Sequence, residues 1–273
     1  MTTDFEFLDV DRRPEVDVAV VAMRRPPVNA VNQVMYREIL ELFSRTDEYL
    51  ADVGAVVLRG EGRMFSAGND LDEFLSLSPQ NSAGRMKVVR EAFAAIYDCP
   101  VPVIAAVHGP ALGTGLALAA SCDLVVAGES AVFGTPEVGV GVMGGAKHLS
   151  RLVPQQVVRL MYLTADPLPA ADLVPYGGVV EVVPDADLLE AALALARRIT
   201  RHSKLSVRTA KQSLNTIEYM DLKSGYEFEQ RLTGQLSGSA DSAESRRAIV
   251  EKREPKFDPF PVTGGAGGIE GTG

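Results

Sequence analysis

Two short glycine-bearing stretches most constrain how this chain can fold: Met64-Phe65-Ser66-Ala67-Gly68-Asn69-Asp70-Leu71 and His108-Gly109-Pro110-Ala111-Leu112-Gly113-Thr114-Gly115. Each follows an apolar, β-branched run, Ala55-Val56-Val57-Leu58 in one case and Val103-Ile104-Ala105-Ala106-Val107 in the other. Each leads into a segment with helical character, so strand, tight turn and helix are written twice. Glycine lets the backbone turn sharply and lets a ligand approach closely. The free N–H groups at the start of a following helix face whatever sits at the turn. Two such turns can aim two amides at one oxygen, the geometry that stabilises negative charge on a carbonyl.

The rest of the chain fits an alternating pattern. Residues 16–23 and 54–59 read as strands. Arg24-Arg25-Pro26-Pro27-Val28-Asn29-Ala30 is a turn. Residues 31–50 carry helical periodicity, with Val34, Ile39, Leu42 and Phe43 near one face. The pattern predicts a short helix over 71–77, a loop over 79–82 and a helix over 83–97. Residues 102–107 form a buried strand, and 113–120 a buried helix, apolar all round. Further strands are expected at 123–127, 131–133 and 179–183, with a mostly helical stretch at 149–164. Residues 186–201, 203–215, 222–236 and 242–253 read as helices alone. The implied fold is an α/β core over residues 1–200, a helical region over 201–260 and a glycine-rich, disordered tail over 261–273.

Composition narrows the partners. The 273 residues include 27 basic and 36 acidic ones, a net charge of −9, and 46% are apolar. That supplies a sizeable core. An acidic chain is a poor general binder of nucleic acid or anionic membrane, although a local basic patch suffices for a polyanionic small molecule. Residues 1–11 carry acids and no apolar centre, and the apolar run over 111–126 is broken by glycines, Ser121, Cys122 and Asp123. The expected home is the cytoplasm, with no membrane span. Cys99 and Cys122 have neither metal nor redox spacing and read as buried, reduced thiols. His108, His148 and His202 show no metal-ligand spacing, so no metal is implied. His108 is expected to hydrogen-bond locally at the end of a strand.

Other motifs are weaker. Gly139-Val140-Gly141-Val142-Met143-Gly144 matches G-x-G-x-x-G, but it follows Pro136-Glu137 deep in the chain rather than a first strand. It reads as a mobile loop lining a pocket. Glu137, after Phe133-Gly134-Thr135-Pro136, lies in an apolar segment without a nearby base. A carboxylate in such a place has a raised pKa suited to proton transfer. Arg246, Arg247, Lys252, Arg253 and Lys256 alternate with acids and read mainly as a solvated helix face.

Residues 64–74, 108–123 and 133–137 together resemble the enoyl-CoA hydratase/isomerase (crotonase) superfamily. Arg25-Pro26-Pro27-Val28-Asn29-Ala30 resembles its first coenzyme A loop, and Lys252-Arg253-Glu254-Pro255-Lys256-Phe257 its C-terminal signature. The resemblance runs in order from about residue 16 to 257. It implies an α/β fold, a crotonase-like spiral of β-β-α turns with a C-terminal helical region, assembled as a homotrimer or hexamer. It implies an acyl-CoA substrate, with coenzyme A entering as part of the thioester and no permanently bound cofactor. By position, the backbone amides of Ala67 and Thr114 would hold the thioester oxygen, and Val28, Gly68, Asp70 and Leu71 would meet the coenzyme A portion. Glu137 matches one of the two glutamates that hydratases of the family use. The other position holds Ala117, and the middle glycine of the second turn is Thr114. One glutamate leaves double-bond isomerisation or slow hydration. Hydrolytic ring opening of a β-diketone CoA thioester is an alternative, and a non-catalytic acyl-CoA binder is a third.

Overall fold

A computed structural model of the chain describes residues 5–50 and 52–260. The elements run β1 (Leu8–Arg13), β2 (Val18–Met23), α1 (Gln33–Ser44), α2 (Thr46–Tyr49), β3 (Ala55–Gly60), α3 (Leu71–Leu75), α4 (Pro79–Asp98), β4 (Val103–Val107), β5 (Pro110–Leu112) and α5 (Thr114–Ser121). They continue with β6 (Leu124–Gly128), β7 (Val132–Gly134), α6 (Ala146–Leu149), α7 (Gln155–Thr164), β8 (Leu168–Pro169), α8 (Ala170–Leu173), β9 (Glu181–Val183) and α9 (Leu188–Thr200). Three helices close the described chain, α10 (Lys204–Ile217), α11 (Leu222–Ser237) and α12 (Ala240–Glu251).

The large sheet has the order β1-β2-β3-β4-β6-β9, with β1 antiparallel at one edge and the remaining pairs parallel. Its central strands carry long apolar runs because both faces are covered, with Arg59 near the end of β3 the charged exception. Alternate side chains serve two cores. Ala19, Val21, Val56, Leu58, Val103 and Ala105 face α1, α4 and α5, whereas Val18, Val20, Ala55, Val57 and Ile104 pack on Leu188, Ala192 and Ala196 of α9.

A small second sheet, β5-β7-β8, makes the architecture a spiral. One turn of chain sets a strand in the large sheet, an extended piece in the small one, then a helix, as in β4-β5-α5. The extended pieces stack in register: Ser66 pairs with Ala111, Ala111 with Phe133, and Phe133 with Leu168. This is the expected spiral of β-β-α turns with a helical C-terminal region.

Several boundaries differ from the sequence reading. Residues 79–82 are the first turn of α4 and not a loop. Ser78 and Asn81 form a capping box, with the Ser78 N–H donating to Asn81 Oδ1 at 2.9 Å, and Pro79 occupies the first helical position. The helix expected over 31–50 breaks at Arg45 into α1 and α2. The stretch over 149–164 is split by Pro154, after which α7 begins. β1 was not anticipated, because its charged residues Asp9, Asp11, Arg12 and Arg13 belong to an edge strand with one solvated side. The tail over 261–273 lies outside the described residues. Among the described residues, no helix is long and apolar enough to cross a membrane.

α10 is fastened to the core by one buried cation. Lys211 Nζ donates to Asp123 Oδ2 at 2.7 Å and to the Val101 carbonyl at 3.2 Å, while the Val103 N–H donates to the same Asp123 oxygen at 2.7 Å. Lys211→Met leaves Asp123 without its cation. Breaking such a pair costs about 3 kcal/mol, and a lowered midpoint in urea unfolding checks it.

Candidate active site

The first glycine turn is held by residues before and after β3. Asn29, buried at φ +49°, donates through Nδ2 to the carbonyls of Glu61 and Met64 at 2.8 and 2.9 Å. Ser66 Oγ donates to the Asn29 carbonyl at 2.7 Å. Gly68 adopts φ +105°, and a methyl there would lie 3.0 Å from the Leu112 carbonyl oxygen and 3.9 Å from the Thr114 nitrogen. The two glycine turns therefore touch, and glycine is required at their contact.

The expected donor Ala67 is corrected by this geometry. Its N–H already donates to the Val28 carbonyl at 2.9 Å, which ties the loop over 24–30 to the turn. The neighbouring Asn69 N–H makes no hydrogen bond among the described residues, because the bonds on either side use the Gly68 carbonyl and the Asp70 N–H. Asp70 caps α3 by accepting the Glu73 N–H at 3.1 Å and pairs with Arg25 Nη2 at 2.7 Å. Those contacts hold its carboxyl below the usual carboxylate range, the Glu73 amide contributing most. Leu71 is exposed beside it.

The second turn leads from β5 into α5. Gly113, at φ +51° and ψ −111°, precedes the helix, and its N–H donates to the Gly134 carbonyl at 2.9 Å. Thr114 opens α5, where a first-turn N–H has no intrahelical acceptor. All of α5 is buried, Ala117 included, one turn beyond Gly113.

Glu137 arrives from the next spiral turn. It follows β7 in a 3-10 helix over Pro136–Val140 and is only 9% exposed. Its carboxylate sits in a cage of glycines. Methyl groups on Gly113 and Gly145 would lie 3.2 and 3.1 Å from Oε1, and one on Gly144 would lie 4.0 Å away. Its Oε2 has no hydrogen-bond partner, nor does Thr135 Oγ1 in the same segment. Burial pushes the Glu137 carboxyl above its ordinary value, opposed in part by its own backbone N–H. A buried, unpaired carboxylate with a raised pKa is a candidate for proton transfer. Gly144 and Gly145 of the G-x-G-x-x-G region thus do line the site, while Gly139 belongs to the 3-10 helix.

Other candidates lie elsewhere. His108 Nε2 is 2.8 Å from the Gly62 carbonyl, the local bond expected of it. His148 stacks edge-on against Phe93, and burial lowers its pKa. Arg253 is taken up by Glu244 and Glu251, as a solvated face implies. Cys99 and Cys122 are buried free thiols. A cavity of about 370 Å³ is lined by Arg59, His108, Asp185 and Leu189 among others, and Glu137 is not part of its lining.

Sequence reasoning missed Tyr36 and Asn69. Tyr36 falls on the buried stripe of α1 with Ile39 and Phe43, where its ring reads as core and its hydroxyl goes unnoticed. Asn69 was hidden by the attention its neighbouring glycine draws.

The description "Enoyl-CoA hydratase/isomerase" belongs to a family profile matching residues 13–259. The chain is 39% identical over 245 residues to a Mycobacterium tuberculosis protein named (7aS)-7a-methyl-1,5-dioxo-2,3,5,6,7,7a-hexahydro-1H-indene-carboxyl-CoA hydrolase, covering 88% of this chain and 97% of that one. It is 32% identical over 269 residues to a probable enoyl-CoA hydratase of Mycobacterium bovis, covering 94% and 99%. The crystal structure of an enoyl-CoA hydratase subunit from Geobacillus kaustophilus superposes with a TM-score of 0.87 at 31% identity, covering 94% of this chain and all of that one.

Proposed function

Since the chain belongs to the enoyl-CoA hydratase/isomerase family, we propose that it is a single-base acyl-CoA enzyme that opens a ring of a cyclic β-diketone CoA thioester by hydrolysis. The observation that carries this reading is Glu137, a lone buried carboxylate beside the second glycine turn, with buried Ala117 standing where the family resemblance implies the second glutamate of hydratases. The relative at 39% identity, named a hydrolase of a dioxo-indene carboxyl-CoA, supports the choice among single-base reactions.

The chemistry needs one carboxylate. Glu137 takes a proton from water, and the hydroxide oxygen bonds to a ring ketone carbon. The adjacent carbon–carbon bond breaks, and its electron pair moves into conjugation with the thioester carbonyl. The resulting enolate oxygen is held by the Asn69 and Thr114 N–H groups. Protonated Glu137 then returns its proton to carbon, so the sum is addition of one water. Removing one oxyanion donor from other enzymes costs about 3–4 kcal/mol of barrier, so the two amides carry much of the catalysis. Val28, Ala67, Gly68, Asp70 and Leu71 shape the loops that receive the coenzyme A portion. A homotrimer or hexamer would cover the apolar side chains that α11 and α12 expose, among them Leu222, Ile249 and Val250.

A mass-spectrometric screen of 2-enoyl-, 3-enoyl- and cyclic β-diketone CoA thioesters tests the reaction. Ring opening with addition of one water supports it. Efficient hydration of crotonyl-CoA, or isomerisation of the 3-enoyl thioester alone, overturns it. Ala117→Glu supplies the missing second carboxylate. In a folded variant it raises crotonyl-CoA hydration by about tenfold or more, short of the roughly 10²- to 10⁴-fold that a fully placed acid–base group contributes. Unchanged hydration would show that Ala117 is not what limits this reaction.

A further inference from the structure

The two glycine turns are joined at one end by backbone. The Ser66 N–H donates to the Pro110 carbonyl at 3.1 Å, and the Leu112 N–H donates to the Ser66 carbonyl at 3.0 Å. At the other end they are joined by a side chain that belongs to neither. Tyr36 of α1, 1% exposed, donates through its hydroxyl to Asn69 Oδ1 at 2.6 Å and lies 2.7 Å from Thr114 Oγ1. A phenol has one proton, and Tyr36 gives it to Asn69 Oδ1, an acceptor only. Thr114 must therefore donate to Tyr36. The direction of the chain is fixed: Thr114 hydroxyl to Tyr36 hydroxyl to Asn69 carbonyl oxygen.

We propose that Tyr36 is a positioning residue that sets the spacing of the two oxyanion amides, because it bridges the side chains of the residues, Asn69 and Thr114, that carry those amides. The inference rests on the reading of these two turns as the enolate site. Three features make Tyr36 a rigid strut. Its ring packs edge-on against Phe93 of α4, with centroids 6.0 Å apart. The start of α1 is stitched to the first turn through the Val31 N–H to the Gly68 carbonyl at 2.8 Å and the Asp70 N–H to the Val31 carbonyl at 2.9 Å. The Glu73 carboxylate accepts the Gln33 N–H at 3.0 Å, so α3 holds the same end of the helix. Oxyanion donors act only within a narrow distance of the developing charge, and a hydroxyl chain between the donor residues fixes that distance from behind. It also gives Thr114 a purpose in a turn where the resemblance leads one to expect glycine.

Bound acetoacetyl-CoA tests the strut without requiring turnover, because an enolate-stabilising site lowers the apparent pKa of this β-keto thioester, read from its enolate absorbance. In the wild type the apparent pKa lies below that of free acetoacetyl-CoA. In Tyr36→Phe it rises by about one unit, a tenfold loss of enolate preference, while affinity for butyryl-CoA, which forms no enolate, stays within about twofold. Thr114→Val gives the same shift, Thr114→Ser restores the wild-type value, and the double variant Tyr36→Phe/Thr114→Val is no worse than either single one. A wild-type pKa in both Tyr36→Phe and Thr114→Val overturns the strut and leaves the enolate site standing. A wild type that does not lower the pKa of acetoacetyl-CoA overturns the enolate site itself, and the strut with it.

Discussion

Replacing Glu137 by glutamine lowers kcat by about 10²- to 10⁴-fold, the usual worth of a placed general acid–base group, and raises the melting temperature. Both effects come from one cause. The carboxylate is buried among Gly113, Gly144 and Gly145, and its Oε2 has no partner. Burial raises its pKa, so the folded protein binds this proton more tightly than the unfolded chain does. Stability associated with the group is therefore full below the ordinary glutamate pKa and is lost as pH rises through the raised value. At neutral pH the ionised carboxylate works against folding, and the amide removes that cost. The acid limb of kcat/KM lies above the ordinary carboxylate range for the same reason and disappears in Glu137→Gln. Wild-type turnover in this variant, measured on the substrate found by the thioester screen, would remove Glu137 from the chemistry.

Gly113→Ala has the second largest effect, and it acts through the backbone. Gly113 lies at φ +51° and ψ −111°, a region closed to side chains, and the added methyl would stand 3.2 Å from Glu137 Oε1. Strain of this kind costs about 1–3 kcal/mol. The turn also aims the Thr114 N–H, so relief of strain shifts an oxyanion donor and the base together. The expected result is a melting temperature lowered by several degrees, as about 1 kcal/mol shifts a domain of this size by about 2–4 °C, and kcat reduced at least as far as by loss of one oxyanion donor, about 10²-fold. Gly62→Ala is the control. Gly62 also has a positive φ, but a methyl there meets nothing within 4 Å. Its variant loses stability and keeps kcat.

What the sequence made legible follows from the scale of each signal. The central strands of the large sheet, β2, β3, β4 and β6, were readable because both faces are buried and their apolar runs are long, whereas the charged edge strand β1 was not. The spiral was readable through family resemblance, since nothing local announces that Ser66, Ala111, Phe133 and Leu168 stack in register. The loop expected at 79–82 failed because polar residues and proline mark loops and helix starts alike, and only the reciprocal bond between Ser78 and Asn81 decides. Glu137 was legible as a lone acid in an apolar segment. The N–H proposed as the first oxyanion donor was not. Ala67 and Asn69 flank the same glycine, and which N–H stays free depends on Val28, far away in sequence. Tyr36 was hidden for a related reason, since its hydroxyl partners are 33 and 78 residues away.

In the proposed reaction one carboxylate both activates water and returns the proton to an enolate. Turnover of a cyclic β-diketone CoA thioester in H₂¹⁸O, followed by mass spectrometry of the intact CoA product, tests it most directly. The expected product is ring-opened, gains one water, carries a single ¹⁸O in a new carboxylate, keeps its thioester, and is formed at least about 10²-fold more slowly by Glu137→Gln. Label in a free acid released with loss of coenzyme A, or equal rates for wild type and variant, would contradict it.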